Sequence, residues 1–148
     1  MLSFETFARV SGVVSSEAIS FSVSPAHRRS YQNNRRLFFD AVSTNVGNHY
    51  DVSDKSFICP FHGIYGFLLS VDSSVDSMEC AILKQNNIIG QVKVNKSGAS
   101  AHASTTFAVT ECRRGERVFV KTSRGSASGD VMAAPHTVFS GFLIIRLP

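Results

Sequence analysis

The chain has 148 residues, 43% of them hydrophobic and 18% charged. That is long enough for one domain burying roughly 70% of its unfolded surface and too apolar for a disordered polymer. A net charge of +4 and a pI near 9.2 leave acidic partners open, but the absence of an aromatic-and-basic RNA signature or a helix-turn-helix pattern argues against nucleic acid.

Residues 1–17 carry Glu5 and Arg9 inside what would have to be an unbroken apolar run. They make a poor secretory signal and are expected to be an N-terminal extension to a domain spanning 18–148. The longest apolar stretches fall well short of the roughly 20 residues a spanning helix needs, so no membrane insertion is expected. Twelve Phe, three Tyr and no Trp favour pleated strands, against which flat rings pack well.

Alternation with period two recurs, as in Ile19, Phe21, Val23 and in Tyr65, Phe67, Leu69, Val71, and marks half-buried strands. Clusters of turn-forming residues interrupt it at "SPAHRRS", "NVGNHYDVSDKS", "VDSSVDS", "KQNN", "NKSGAS", "CRRGE" and "SRGSASGD", close to the spacing of a sandwich or barrel. In chain order the expected strands are 18–23, 36–42, 55–60, 63–72, 77–84, 87–95, 99–112, 115–122 and 137–146. No segment supports a long amphipathic helix. The last strand, "TVFSGFLIIRL", is too continuously apolar for a wet face, so it is expected to be central or covered by another subunit. Gly141 within it predicts a bulge.

Phe39, Asn45, Tyr50, Phe57, Gly63, Tyr65 and Phe67 fall into the frame F-x5-N-x4-Y-x6-F-x5-G-x-Y-x-F, which resembles the signature of the complement C1q globular-head family. "AISFSV" at 18–23, "CRRGERVFV" at 112–120 and "TVFSGFLI" at 137–144 extend the resemblance to about residues 18–147. Leu69 stands where an aromatic is usual, Cys112 where Leu is usual and Glu116 where Asp is usual. The resemblance implies an all-β jelly-roll sandwich of about ten antiparallel strands, shared with the tumour necrosis factor family and assembling as a homotrimer. In it Phe57, Tyr65, Phe67 and Leu69 fill the space between the sheets. Phe139 and Ile144 are its candidates for the contact around the three-fold axis, the alternative being plain core.

The same resemblance pairs Cys59 with Cys80 in a disulfide, against two free buried thiols, and leaves Cys112 as a small core hydrophobe. It also raises calcium: Asp72 and Asp76 of "VDSSVDS", with Asn86 in the following turn, are a weak candidate set, since calcium takes six to eight oxygens. A solvated turn is the plainer reading, and no other cofactor is expected.

No enzyme motif survives inspection: H-E-x-x-H, a Walker loop and a dinucleotide fingerprint are missing, and "GSASG" has Ala127 where a nucleophile elbow needs Ser. The chain is not expected to be an enzyme. Basic residues cluster as Arg28 with Arg29, Arg35 with Arg36, and Arg113, Arg114, Arg117, Lys121 and Arg124. The third group, around a turn and a loop, is the candidate ligand-binding set, because guanidinium forks suit carboxylate, sulfate and phosphate. Asn95, Lys96 and Ser97 form an N-glycosylation acceptor.

The resemblance therefore points to a secreted, non-catalytic recognition module, lectin-like and innate-immune, binding anionic glycans, lipopolysaccharide or other carbohydrate on microbial or host surfaces. The alternative is a cytokine-like trimeric ligand for a cell-surface receptor.

Overall fold

A computed structural model describes residues 18–73, 77–95, 102–123, 129–131 and 133–148, all of them in strands, turns or extended segments. Twelve strands run in the order β1 (Ser20–Ser24), β2 (Arg29–Tyr31), β3 (Ala41–Val46), β4 (Tyr50–Asp51), β5 (Ser56–Ile58), β6 (Gly63–Ser73), β7 (Ser77–Lys84), β8 (Asn87–Asn95), β9 (His102–Cys112), β10 (Arg117–Thr122), β11 (Gly129–Val131) and β12 (Val138–Arg146). They form a seven-stranded sheet, β2-β11-β6-β12-β1-β3 with β9 on the free edge of β6, and a five-stranded sheet, β4-β5-β10-β7-β8. Every pairing is antiparallel.

The space between the sheets is filled by the alternating side chains that the sequence announces. Phe21, Val23, Phe39, Tyr50, Phe57, Tyr65, Phe67, Leu69, Val71 and Phe139 are all buried. Phe21 sits at the centre, its ring centroid 4.9 Å from Phe57, 5.0 Å from Phe139 and 5.2 Å from Tyr50. Each such side chain stabilises the fold by roughly 1.5–3 kcal/mol on burial. Asn45 supplies the polar member of the frame: its Nδ2 donates to the Tyr50 carbonyl (3.0 Å) and its Oδ1 accepts from the Tyr50 N–H (3.0 Å). That closes the turn between β3 of one sheet and β4 of the other around Gly47, whose φ is +84°.

Gly63 approaches the chain closely: a Cβ there would lie 2.8 Å from the Ile145 carbonyl oxygen. Gly141 does not form the expected bulge. It pairs regularly with Phe21 and with Phe67, and the register shift in β12 falls between Leu143 and Ile145. The glycine is demanded by packing instead, since a Cβ would meet the Phe21 ring at 2.5 Å and the Phe67 ring at 2.7 Å.

Strands 77–84 and 87–95 fall where expected, and β12 is central, between β6 and β1. The expected strand 36–42 is instead an extended segment holding one bridge, Arg36 to Lys121, before β3 begins at Ala41. Leu37 and Phe39 alternate because they cover the core, without the ladder that alternation ordinarily accompanies. The three-residue strands β2 and β11 lie in stretches read as turns. They pair with each other at the margin of the larger sheet, where so short a run leaves little periodic signal.

The registers define two poles. Ser73 faces His102, Ser77 faces Asn95 and Thr122 faces Cys80, so β6, β8 and β10 end, and β7 and β9 begin, at one pole. At the other, Gly63 faces both Cys112 and Arg146, and the Leu143 N–H donates to the Ile19 carbonyl (3.0 Å) beside the start of β1.

Candidate recognition surfaces

The outer face of the seven-stranded sheet carries an apolar field. On β9 Phe107 lies opposite Leu68 and Val109 opposite Gly66, while on β12 Phe142 lies opposite Gly66 and Ile145 opposite Ile64. Phe107, Val109, Phe142 and Ile145 are 52%, 55%, 45% and 56% exposed, a contiguity that marks an association surface on a folded domain. Gly66 forms its floor. The Phe107 and Phe142 rings converge above that glycine, 6.4 Å apart and nearly parallel, and a Cβ on it would touch the Phe107 ring tip at 2.8 Å.

Phe139 is not part of this face: of the two readings the sequence left open, the structure shows plain core. It is fully buried, with Phe21, Phe39 and Phe67 around its ring. Alternation along β12 sends Phe139 and Gly141 inward and Phe142 outward. Ile144, at the register shift, is 48% exposed beside Ile145.

The cysteine pairing also differs from the expectation. Cys59 is bonded to Cys112, with Cα atoms 6.4 Å apart, and Cys80 is a free buried thiol. Backbone docking explains it: the Cys59 N–H donates to the Glu116 carbonyl (2.9 Å) and the Gly115 N–H donates to the Cys59 carbonyl (2.8 Å). This seats Cys59 against the β9–β10 turn that begins at Cys112. Cys80 lies mid-strand on β7, opposite Thr122 and Val92, and burial pushes its thiol pKa up to about 12. Cys112 is therefore half of a covalent link between the two sheets and not a solitary hydrophobe.

The calcium set is not assembled as expected. Asp72 lies within β6, not in a turn, with His136 Nδ1 3.6 Å from its carboxylate. Asn86 sits in the β7–β8 turn, which the eight residues of β7 carry about 23 Å from the Asp72 pole at the rise of an extended strand. Asp76 lies outside the described residues. Among the described residues no three His, Cys, Asp or Glu side chains gather as a metal would require.

The basic candidates are dispersed. Arg113 and Arg114 stand on the β9–β10 turn, where Glu116 Oε1 accepts from the Arg113 N–H (2.7 Å) and Gly115 has a φ of +86°. Arg113 also pairs with Glu111 (3.2 Å). Arg114 lines an open cleft of about 970 Å³ with Asn48, His49, Asp51 and Pro60; burial lowers the His49 pKa, favouring its neutral form. Arg117 turns away toward Asp54 (Nε to Oδ2, 2.9 Å), and Lys121 stands four residues further along β10. Arg124 and the Lys96–Ser97 part of the glycosylation acceptor lie outside the described residues; Asn95 closes β8.

Sequence reasoning missed what surrounds Arg117 and Lys121. The Arg36–Lys121 bridge brings Arg36 onto the same sheet face, its guanidinium carbon 3.8 Å from the centre of the Phe119 ring and its Nη1 donating to the Asp54 carbonyl (2.9 Å). Arg35, Arg36 and Lys55 line a cleft of about 540 Å³ with Ser30, Tyr31 and Gln32. The Arg35-Arg36 pair is visible in the sequence, but Lys55 is brought there only by the Val52–Lys55 turn, which its N–H closes by donating to Val52 (3.2 Å).

Asp54 holds this surface together. Its carboxyl lies below the usual carboxylate range, first because the Ser56 hydroxyl donates to it and then because Arg117 and Arg36 stand beside it. A depressed pKa stabilises the fold above the unfolded value of 3.8, and that contribution is lost as pH falls through the folded value. The melting-temperature gap between the native chain and Asp54→Asn is therefore expected to be widest near pH 6 and to shrink below pH 3.8. A gap constant from neutral pH to pH 2.5 would contradict it.

A C1q domain model matches residues 20–144. The chain belongs to the C1q domain family. This C1q domain is 27% identical over 130 residues to complement C1q tumor necrosis factor-related protein 3 of Mus musculus and to that of Homo sapiens. The match covers 86% of the chain and 52% of each relative, so the chain spans about half the length of the curated relatives it matches. Among solved structures, the C1q domain is similar to the globular domain of zebrafish complement 1qA (TM-score 0.73, 19% identity, 87% of this chain and 99% of that one). It also resembles Eiger TNF from S. frugiperda (TM-score 0.72, 7% identity, 89% and 96%) and murine APRIL (TM-score 0.69, 11% identity, 86% and 99%). At these identities the likeness is one of fold: the jelly-roll architecture is common to all of them.

Proposed function

We propose that the chain is the globular head of a secreted, non-catalytic recognition protein that works as a homotrimer and binds anionic or carbohydrate ligands. The observation that carries this reading is the apolar field of Phe107, Val109, Phe142 and Ile145 over Gly66. It leaves four large side chains about half exposed or more, which a second copy of the chain would cover. Ile144 lies at the edge of this field and is included in the interface. Closing three identical faces around an axis leaves the five-stranded sheet and the poles available to ligand.

Light scattering after size exclusion tests the assembly. The native chain is expected at the three-chain mass at micromolar concentration, and Phe107→Glu together with Phe142→Glu is expected to yield folded monomers. A native chain that stays monomeric would overturn the proposal.

A second reading, a trimeric ligand for a cell-surface receptor, is favoured by the match to the tumor necrosis factor-related relatives and by the likeness to Eiger TNF and APRIL. The two separate experimentally. Binding to anionic glycans that salt abolishes supports recognition of a charged surface, and saturable binding to a receptor ectodomain that ignores added carbohydrate supports the ligand role.

A further inference from the structure

We infer that the anionic ligand is a linear sulfated polysaccharide and that it lies across the outer face of the five-stranded sheet, on Arg35, Arg36, Lys55, Arg117 and Lys121. This rests on the proposed recognition of anionic ligands and assigns it a site away from the β9–β10 turn. Of the five cations, Arg36 and Arg117 have a carboxylate partner among the described residues, and it is the same one, Asp54. The Arg35 guanidinium and the Lys121 ammonium have no hydrogen-bond or ion-pair partner among the described residues, and the Lys55 ammonium rests over the Phe38 ring, 5.6 Å from its centre. The surface thus carries excess positive charge that no neighbouring side chain among the described residues neutralises.

Its shape selects among anions. Arg117 and Lys121 project from the same face of β10, four residues and so about 13 Å apart at strand rise, with Arg36 between them over Phe119. A lone sulfate or phosphate reaches cations around one point, whereas a row of this length fits a chain bearing anions at intervals. Arg36 is held in place before any ligand arrives, by the Phe119 ring and by its bond to the Asp54 carbonyl. Such preorganisation reduces the entropy lost on binding. In the adjoining cleft, the exposed Gln32 brings an amide group beside Arg35, Arg36 and Lys55, and sugar hydroxyls need such partners.

The same face disfavours other polyanions. Single-stranded nucleic acid requires uncovered aromatic faces for base stacking, and the Phe119 ring is 6% exposed beneath Arg36. Lodging in a lipid surface requires several apolar side chains free to enter it; beside Lys121 Ile88 stands exposed on this sheet, while the field of Phe107, Val109, Phe142 and Ile145 belongs to the opposite one.

Heparin, as a sulfated-chain probe, tests the assignment against poly-L-glutamate, with the folded state of each variant checked by thermal melting. The variant Arg35→Gln, Lys55→Asn, Lys121→Gln removes the three cations that have no ion pair among the described residues; the comparison variant is Arg113→Gln, Arg114→Gln. The native chain is expected to bind heparin more tightly than poly-L-glutamate. The triple variant is expected to lose about tenfold in affinity at 0.15 M salt, the sum of three exposed charge contacts, and the turn variant is expected to change little. Loss in the turn variant alone would overturn the site while leaving anionic recognition intact. Equal binding of poly-L-glutamate would overturn the polysaccharide assignment. Failure of the native chain to bind either polyanion would overturn the anionic reading as well.

Discussion

Reduction of the Cys59–Cys112 bond is expected to cost the C1q domain about 4 kcal/mol of stability, the loop-closure entropy of the 53-residue separation it spans. For a domain of this size that corresponds to a fall of about 10 °C in melting temperature. The bond joins the end of β9 in one sheet to the residue after β5 in the other, so the reduced chain keeps both ladders and loses the tie between them. Urea unfolding with and without reductant measures the effect. Thiol counting fixes the pairing: under denaturing, non-reducing conditions one thiol per chain is expected to react, and a Cys80→Ala chain is expected to show none. Labelling of Cys59 or Cys112 in that variant would contradict the bond. In the native state Cys80 is expected to resist alkylation at pH 8, because it is buried and its thiol is held protonated.

Gly141→Ala is expected to be the most damaging glycine-to-alanine change among the described residues. The new Cβ would meet the rings of Phe21 at 2.5 Å and Phe67 at 2.7 Å. Neither ring can retreat: Phe21 is packed on Tyr50, Phe57 and Phe139, and Phe67 on Phe57, Tyr65 and Phe139. Overpacking against rings so enclosed is expected to cost about 3 kcal/mol or more in urea unfolding. Gly66→Ala makes the control, since its Cβ meets the tip of the half-exposed Phe107 ring, which can swing into solvent. Its cost to the isolated chain is expected to be below about 1 kcal/mol. A Gly141→Ala chain as stable as the Gly66→Ala chain would refute the packing account.

These two glycines also show where sequence reasoning reaches and where it stops. The seven-residue frame is legible because each member answers a local demand that leaves its mark in spacing. Five aromatics enter the core, Asn45 clamps the Tyr50 backbone, and Gly63 passes under a carbonyl. The role of Gly141 depends on rings from two other strands, so its presence is visible and its reason is not. Cys59 is similar: partner choice was set by backbone docking onto the β9–β10 turn, a contact between segments 53 residues apart. Phe139 and Phe142 differ only in which way a strand turns them, and the apolar run around them hides that phase. The basic surface was legible in halves, because the Arg35-Arg36 pair and the β10 cations meet only through the extended segment that replaces the expected strand 36–42.

The side-by-side run of β1 and β12 sets how the domain is presented. Since one begins and the other finishes at the pole of the Cys59–Cys112 bond, a tether attached at either side of the domain departs from that pole. The ends of β6, β8 and β10 and the starts of β7 and β9 would then point away from the tether, like fingertips on a raised hand.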